Sequence, residues 1–273
     1  MTRTEAHRRI KKHKQNKQTN MKLRKIHKDN EILAKRDACT DQRLHKIEQV
    51  TRQRQRNLMV VMEDVYNPYN LAAIARSCDA FGVQFLGAIL QNSKNFDPRE
   101  VANIAATSAS KWLNYTIYEH GEGTEKVLKQ LKLEGWHIVA TVAPNVDNRV
   151  VHSIYDVDFC SLHQSSKKGS AENSEETNSS SGSVGVSDDD DEKLVLLIGN
   201  EHTGLSQTAI DCSDTLVTIP MAGMLQSFNV SVATAICLFE ITRQRKMTGQ
   251  YEQRYLFDEE DSKTLTDDFI MRK

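Results

Sequence analysis

Between residues 57 and 247 the chain alternates short apolar runs with stretches of helical spacing. Asn57-Leu-Met-Val-Val-Met-Glu63 is an unbroken apolar run, the pattern of a strand buried on both faces. Asn-Pro-Tyr at 67–69 breaks it. Leu71, Ile74, Ala75 and Cys78 then recur at helical spacing, which predicts a helix over 71–81 with Asn70 as its N-cap and Gly82 at its end. The same reading gives strands at 83–90, 112–118, 136–142, 194–198 and 215–219. It gives helices at 101–110 and 124–133, a short one from Ser206, and a long one over 229–246. Strands separated by helices of about ten residues mean βαβ units, so the fold class is α/β with a parallel sheet.

The flanks read differently. Residues 1–56 hold 18 Lys/Arg against 6 Asp/Glu, a net of +12, with too little apolar content in the first 40 to build a core. Residues 1–40 are therefore read as a basic, disordered arm: either a solvated tail or an arm that binds nucleic-acid phosphates. From Asp41 to Arg56 the pattern changes. Leu44, Ile47 and Val50 mark one narrow apolar stripe, so 41–56 is expected to be a basic helix docked on a folded body, with Arg43, Lys46, Arg52, Arg54 and Arg56 around the stripe. Residues 164–192 hold nine serines and carry a net of −6, which reads as a disordered loop insertion. Residues 256–273 are expected to form a helical tail.

Charge location changes what the total means. The 273 residues sum to −1, yet that near-neutral sum is a basic segment cancelled by acidic ones, and it does not exclude an RNA partner. No apolar run is long enough to span a membrane. Five cysteines without a CxxC pair exclude a disulfide scaffold and a zinc ribbon, and suit a reducing compartment. A cytoplasmic location follows. A mitochondrial one is the alternative, because the N-terminus is Arg/Lys-rich and acid-poor, although it has no serine before Ser77.

Ligands of an α/β sheet sit at the carboxyl ends of its strands, so the loops after Glu63, Ile198 and Ile219 are the informative ones. There is no P-loop, and His120-Gly-Glu-Gly-Thr124 lacks the third glycine of a dinucleotide fingerprint. The loop after Ile198 sets Glu201 between Gly199 and Gly204. The loop after Ile219 carries Ser227 and Asn229 into an apolar helix, and one of them suffices as a cap. Arg76 lies beside the apolar face of the first helix. It needs either an internal carboxylate, such as Glu201 or Asp79, or an anionic ligand.

At these residues the sequence resembles the SPOUT superfamily of RNA methyltransferases, and within it the SpoU branch. Asn70-Leu-Ala-Ala-Ile-Ala-Arg76-Ser-Cys-Asp-Ala-Phe-Gly82 is similar to the branch's first motif, Ile198-Gly-Asn-Glu201-His-Thr-Gly-Leu-Ser206 to its second, and Ile219-Pro-Met-Ala-Gly-Met-Leu-Gln-Ser227-Phe-Asn229-Val-Ser-Val-Ala-Thr-Ala235 to its third. Three motifs in order make the resemblance specific, and it covers about residues 42–255. The basic helix before the first strand and the run Leu238-Phe-Glu-Ile-Thr-Arg243-Gln-Arg245 are most similar to the tRNA guanosine-2′-O-methyltransferases of that branch.

The resemblance implies a SPOUT domain over 57–255 with a C-terminal trefoil knot, preceded by the basic N-terminal helical extension. It implies S-adenosylmethionine as methyl donor, in a pocket of Gly199, Glu201, Ile219, Met221, Leu225, Ser227 and Phe228. Methyl transfer from a sulfonium needs no metal. Arg76 is then the catalytic base or phosphate clamp, with Asn70, Glu201, Ser227 and Asn229 completing the catalytic set, and Arg43, Lys46, Arg54, Arg243 and Arg245 gripping RNA. Lys46 stands where the family usually has arginine. The implied reaction is ribose 2′-O-methylation of guanosine 18 in the tRNA D-loop by a homodimer, with Val230, Ala233, Ala235 and Leu238 as core or as dimer contact. The alternatives are an rRNA methyltransferase of the same branch and a non-catalytic RNA-binding relative.

Overall fold

The computed structural model describes residues 27–91, 109–118, 123–144, 146, 149–162 and 192–272. In chain order the elements are α1 (27–37), α2 (Asp41–Thr51), β1 (Gln55–Glu63), α3 (Pro68–Ala80), β2 (Val83–Ile89), β3 (Asn114–Tyr118), α4 (Thr124–Leu133), β4 (Trp136–Thr141), β5 (Val151–Ser153), β6 (Lys193–Ile198), α5 (Gln207–Cys212), β7 (Thr215–Thr218), α6 (Val230–Met247), α7 (Tyr251–Tyr255) and α8 (Glu259–Met271). They divide into two compact units, one of Gln53–Asp258 and one of the segments on either side of it.

In the larger unit all seven strands pair in parallel, in the order β3-β2-β1-β6-β4-β7-β5. The continuous apolar runs explain the layering. Along β1 and β6, Leu58, Val60, Met62, Leu194, Leu196 and Ile198 face one core with α3 and α6. The alternate residues Met59, Val61, Val195 and Leu197 face a second core with α4 and α5. Each fully buried aliphatic side chain contributes roughly 1.5–3 kcal/mol. β1 and β6 lie side by side, with Met62 opposite Ile198. The helices that follow them, α3 and α5, cover opposite faces. Such a switch point opens a crevice at the carboxyl ends of the two strands.

Several boundaries differ from expectation. Helix α3 begins three residues early because Asn67, not Asn70, is its cap: Asn67 Oδ1 accepts from Tyr69 N–H at 2.9 Å, with Pro68 in the first turn. Asn70 therefore lies inside the helix and its side chain is released from capping. The expected helix over 41–56 stops at Thr51; Arg54 immediately precedes β1 and Arg56 belongs to its start. Gly82 closes α3 at φ +72°; a Cβ there would stand 2.4 Å from Gln53 O. Ser110–Trp112 is a 3-10 turn, so β3 starts at Asn114. The remainder of the helix expected at 101–110 falls outside the described residues. The edge strand β5 is only three residues long and has no alternating pattern to announce it.

The smaller unit joins α1, α2 and α8. Thr40 caps α2 by accepting from Arg43 N–H. Ile47, at the centre of the apolar stripe, is buried, as are Leu265, Phe269 and Ile270 of α8. Thr51 Oγ1 and Thr266 Oγ1 share a hydrogen bond of 2.8 Å, and Arg36 pairs with Glu48 at 2.8 Å. The stripe's partner within this unit is thus the C-terminal helix. Glu259, Glu260 and Asp261 in the first turn of α8 suit the positive end of its dipole.

Candidate active site

Three loops leave the carboxyl ends of β1, β6 and β7. The β6 loop folds back on itself: Asn200 N–H donates to Gly204 O at 3.1 Å, and Gly204 N–H returns to Asn200 O at 3.2 Å. A Cβ on Gly199 would lie 2.1 Å from the Gly204 carbonyl carbon, so only glycine permits that closure. The Asn200 side chain pins the loop tip by accepting from His202 N–H and Thr203 N–H at 2.9 and 2.7 Å.

From this loop Glu201 reaches the β1 loop. Its Oε1 accepts from Asn67 N–H at 3.2 Å and from Asn70 Nδ2 at 2.9 Å. Asn70 Oδ1 in turn accepts from Asn229 Nδ2 at 3.0 Å. Asn229 caps α6, its Oδ1 accepting from Ser231 N–H at 2.9 Å. One chain of three side chains therefore ties the three sequence motifs together. The chain has an open end: Glu201 Oε2 is buried without a hydrogen-bond partner among the described residues. A buried acceptor without a donor costs about 1–3 kcal/mol, so it marks a place where a donor is missing.

Arg76 is exposed on α3 and has no hydrogen bond or ion pair among the described residues. Both candidate internal partners are engaged elsewhere, Glu201 with Asn67 and Asn70, and Asp79 with Arg54. The internal ion pair is thus not formed, and the Arg76 guanidinium is exposed to solvent. Ser227 is exposed and stands outside the network. In the β7 loop Ile219 and Met221 are half-buried, while Met224, Leu225 and Phe228 are exposed. Among the described residues no group of His, Cys, Asp and Glu could hold a metal ion.

The five cations expected to grip RNA separate into two kinds. Arg43 and Lys46 are exposed on α2. Arg243 lies on the surface of α6, paired with Glu240 at 2.7 Å. Arg54 and Arg245 are 1% and 0% exposed, which corrects their assignment. Arg54 is bonded to the Asp79 carboxylate and to Val83 O. Arg245 donates to Gln55 Oε1 at 2.8 Å and Asn57 Oδ1 at 3.0 Å, and lies 4.5 Å from the Tyr255 ring centroid. Burial pulls the Arg245 pKa down to about 10, which still leaves it a cation at neutral pH. Neither guanidinium is open to a phosphate. Arg245 extends the buried stripe of Leu238, Ile241 and Thr242 along α6, and that spacing was the available signal.

Glu63 was not singled out from the sequence. It is 3% exposed at the end of β1. It accepts from Ser206 N–H at 2.8 Å, Ser206 Oγ at 2.7 Å and Thr124 Oγ1 at 2.5 Å. It thereby fixes the far end of the β6 loop, since Ser206 is the cap of α5. A carboxylate closing an unbroken apolar strand was the clue.

Comparison with known proteins gives the chain's relatives. The model of the SpoU rRNA Methylase family matches residues 57–239. A tRNA (guanosine(18)-2′-O)-methyltransferase of Aquifex aeolicus is 32% identical over 226 residues, covering 82% of this chain and 87% of that protein. The protein of the same name from Escherichia coli K12 is 32% identical over 227 residues, covering 79% and 81%. The crystal structure of the A. aeolicus TrmH/SpoU tRNA modifying enzyme superposes with a TM-score of 0.62 at 27% identity, over 85% of this chain and 96% of that one.

Proposed function

The chain belongs to the SpoU rRNA methylase family, and we propose that it is an S-adenosylmethionine-dependent tRNA ribose 2′-O-methyltransferase acting on guanosine 18 of the D-loop. The observation that carries this reading is the Glu201–Asn70–Asn229 chain, with Arg76 on the same helix as Asn70 and without a hydrogen bond or ion pair among the described residues. The 32% identity to relatives of that activity supports the choice of tRNA over rRNA.

The residues fit the methyl donor. The orphaned Glu201 Oε2 calls for a donor, and Leu225 and Phe228 offer apolar surface beside half-buried Ile219 and Met221. Gly199, Glu201, Ile219, Met221, Leu225, Ser227 and Phe228 would hold it. S-adenosylmethionine supplies an electrophilic methyl group on a sulfonium. The attacking ribose hydroxyl is a weak acid whose developing negative charge must be stabilised. A guanidinium is a poor base, so Arg76 is assigned the cationic role: it clamps the neighbouring phosphate and faces the developing alkoxide. Asn70 and Asn229 hold α3 and α6 in register for that task, and Glu201 locks both to the β6 loop.

The remaining parts of the reading rest on the family resemblance and on surface character. The C-terminal part of the sheet is read as a trefoil knot. Arg43 and Lys46 on the basic helical extension, with Arg243, are assigned to tRNA phosphates. A second copy is assigned to the face of α6 that carries exposed Val232 and Phe239. No helix among the described residues is long and apolar enough to cross a membrane. The protein is placed with its substrate in the cytoplasm; the N-terminal residues 1–26, on which the mitochondrial alternative depends, lie outside the described residues.

The test is incubation of the purified protein with methyl-labelled S-adenosylmethionine and separate tRNA and rRNA pools. Label is expected in tRNA, on the 2′-oxygen of guanosine 18. Label in rRNA alone would refute the tRNA assignment, and label in neither would refute the enzyme.

A further inference from the structure

Two of the chain's seven tyrosines sit three residues apart at the entrance to the site, and both are exposed: Tyr66 at 43% and Tyr69 at 79%. They flank Asn67, whose backbone N–H is bonded to Glu201. The Tyr66 ring lies 5.8 Å from the ring of exposed His202, tilted by 33°, so two different loops contribute to one aromatic surface. Neither loop is free to wander. The β1 loop is anchored by buried Val65. It is anchored also by Asp64, which sits at φ +51° and accepts from Gln91 N–H at 2.8 Å. The His202 backbone is pinned by Asn200. Rings held this way lose little freedom on binding, which is what makes a stacking surface effective.

The surface has a direction as well. Tyr69 and Arg76 are seven residues apart on α3, so they share a helix face, roughly 10.5 Å apart along the axis. An exposed aromatic and a cation without a partner among the described residues, on one face, offer a base platform and a phosphate contact to the same strand. Unpaired bases in RNA loops are held by stacking on aromatic side chains, a contact that any base can make through its π-face.

We propose that Tyr66, His202 and Tyr69 form a subsite for an unpaired nucleobase of the RNA substrate, next to the ribose to be methylated. This rests on the methyltransferase reading above, and it adds how the nucleotide is presented: the base is held on the rings while its backbone lies toward Arg76.

The experiment compares wild type with Tyr66→Ala, Tyr69→Ala, Tyr66→Phe and Tyr69→Phe, using an unmodified tRNA transcript. Each alanine variant is expected to raise the KM for tRNA about tenfold, from the range for one stacked base. Each should weaken tRNA retention on a filter without methyl donor by a similar factor. The phenylalanine variants should stay within about twofold of wild type, because the ring and not the hydroxyl stacks. Affinity for S-adenosylmethionine and the sedimentation coefficient should be unchanged in all four. Alanine variants with wild-type KM and retention overturn the subsite while leaving the methyltransferase intact. A fall in S-adenosylmethionine affinity would make the rings part of the donor site, and a change in sedimentation would make them an interface between copies; either result overturns the proposal. A wild type that methylates no RNA overturns the reading on which it rests.

Discussion

The two ends of the central sheet carry polar networks of opposite character. At the amino end, Arg245 is enclosed by Gln55, Asn57 and Tyr255, and Tyr255 Oη in turn donates to Glu192 at 3.2 Å. Arg254 closes that cluster on Glu192 at 2.8 Å. Nη1 and Nη2 of Arg245 both donate within the protein, whereas Nε has no partner among the described residues. At the carboxyl end, the Glu201–Asn70–Asn229 chain stops at an unfilled acceptor, and Arg76 has no partner among the described residues. A network that closes on itself stabilises the fold. One that stays open keeps its remaining donors and acceptors for a ligand, at some cost in stability. Both ends hold an arginine, so arginine by itself distinguishes nothing; whether its partners are internal does.

The sharpest way to break that contrast is to remove the arginine at each end. Arg76→Ala should lower methyl transfer to tRNA by roughly 10²- to 10³-fold, the effect of losing one group that stabilises developing charge. Its thermal midpoint should stay close to that of wild type, because no hydrogen bond or ion pair among the described residues is lost. Arg245→Met should do the reverse. Gln55 Oε1 and Asn57 Oδ1 lose their donor, and about 3 kcal/mol of stability with it, which for a unit of this size lowers the midpoint by roughly 6–12 °C. Turnover measured well below that midpoint should change little. If calorimetry shows Arg76→Ala to be the destabilised variant, the assignment of roles is inverted.

A smaller effect tests the open acceptor. Glu201→Gln keeps an oxygen for Asn67 and Asn70 but presents an amide where Oε2 was. Losing one charge-assisted hydrogen bond to a ligand corresponds to roughly a 10- to 100-fold fall in kcat/KM. Wild-type kinetics in that variant would mean that Oε2 accepts nothing from substrate or methyl donor.

Much of this contrast was legible in the sequence, and the reasons for the rest are specific. Unbroken apolar runs located β1 and β6, and polar residues at their ends located the site. Asn67 and Asn70 were both chemically able to cap α3; Pro68 at the first helical position decided for Asn67 and so freed Asn70 for Glu201. Arg54 and Arg245 read as surface cations because burial of a cation depends on partners far away in sequence, Asp79 for one and Asn57 for the other. The role of Glu63 was hidden for the same reason, since its partner Ser206 is 143 residues distant, and only its place at the end of an apolar strand hinted at it.

Exposed cations of the smaller unit offer a weaker but independent check on that sorting. Arg43→Ala should reduce the slope of log affinity for tRNA against log salt by about one, as removal of a single phosphate contact does. Arg54→Ala, measured at a temperature where the protein is folded, should leave the slope unchanged and appear as lost stability instead. Equal slopes for wild type and the Arg43 variant would remove α2 from the RNA interface.

The smallest expected effect concerns the acidic, serine-rich stretch. It was expected to span 164–192, but Glu192 belongs to the closed network at the amino end of the sheet, held by Tyr255 and Arg254. Deleting 164–191 and rejoining the chain ahead of Glu192 should leave turnover and midpoint within about twofold and a few degrees of wild type, since the deletion removes none of the site's residues and the entropic cost of joining two fixed ends varies only slowly with the length between them. Extending the deletion by the one residue Glu192 should lower the midpoint further, because Tyr255 Oη and the Arg254 guanidinium lose their acceptor. That single-residue difference separates a spacer from a structural anchor: if both deletions behave alike, Glu192 contributes nothing to the closed network, and if the shorter one already abolishes turnover, the stretch has a role in catalysis that its composition does not disclose.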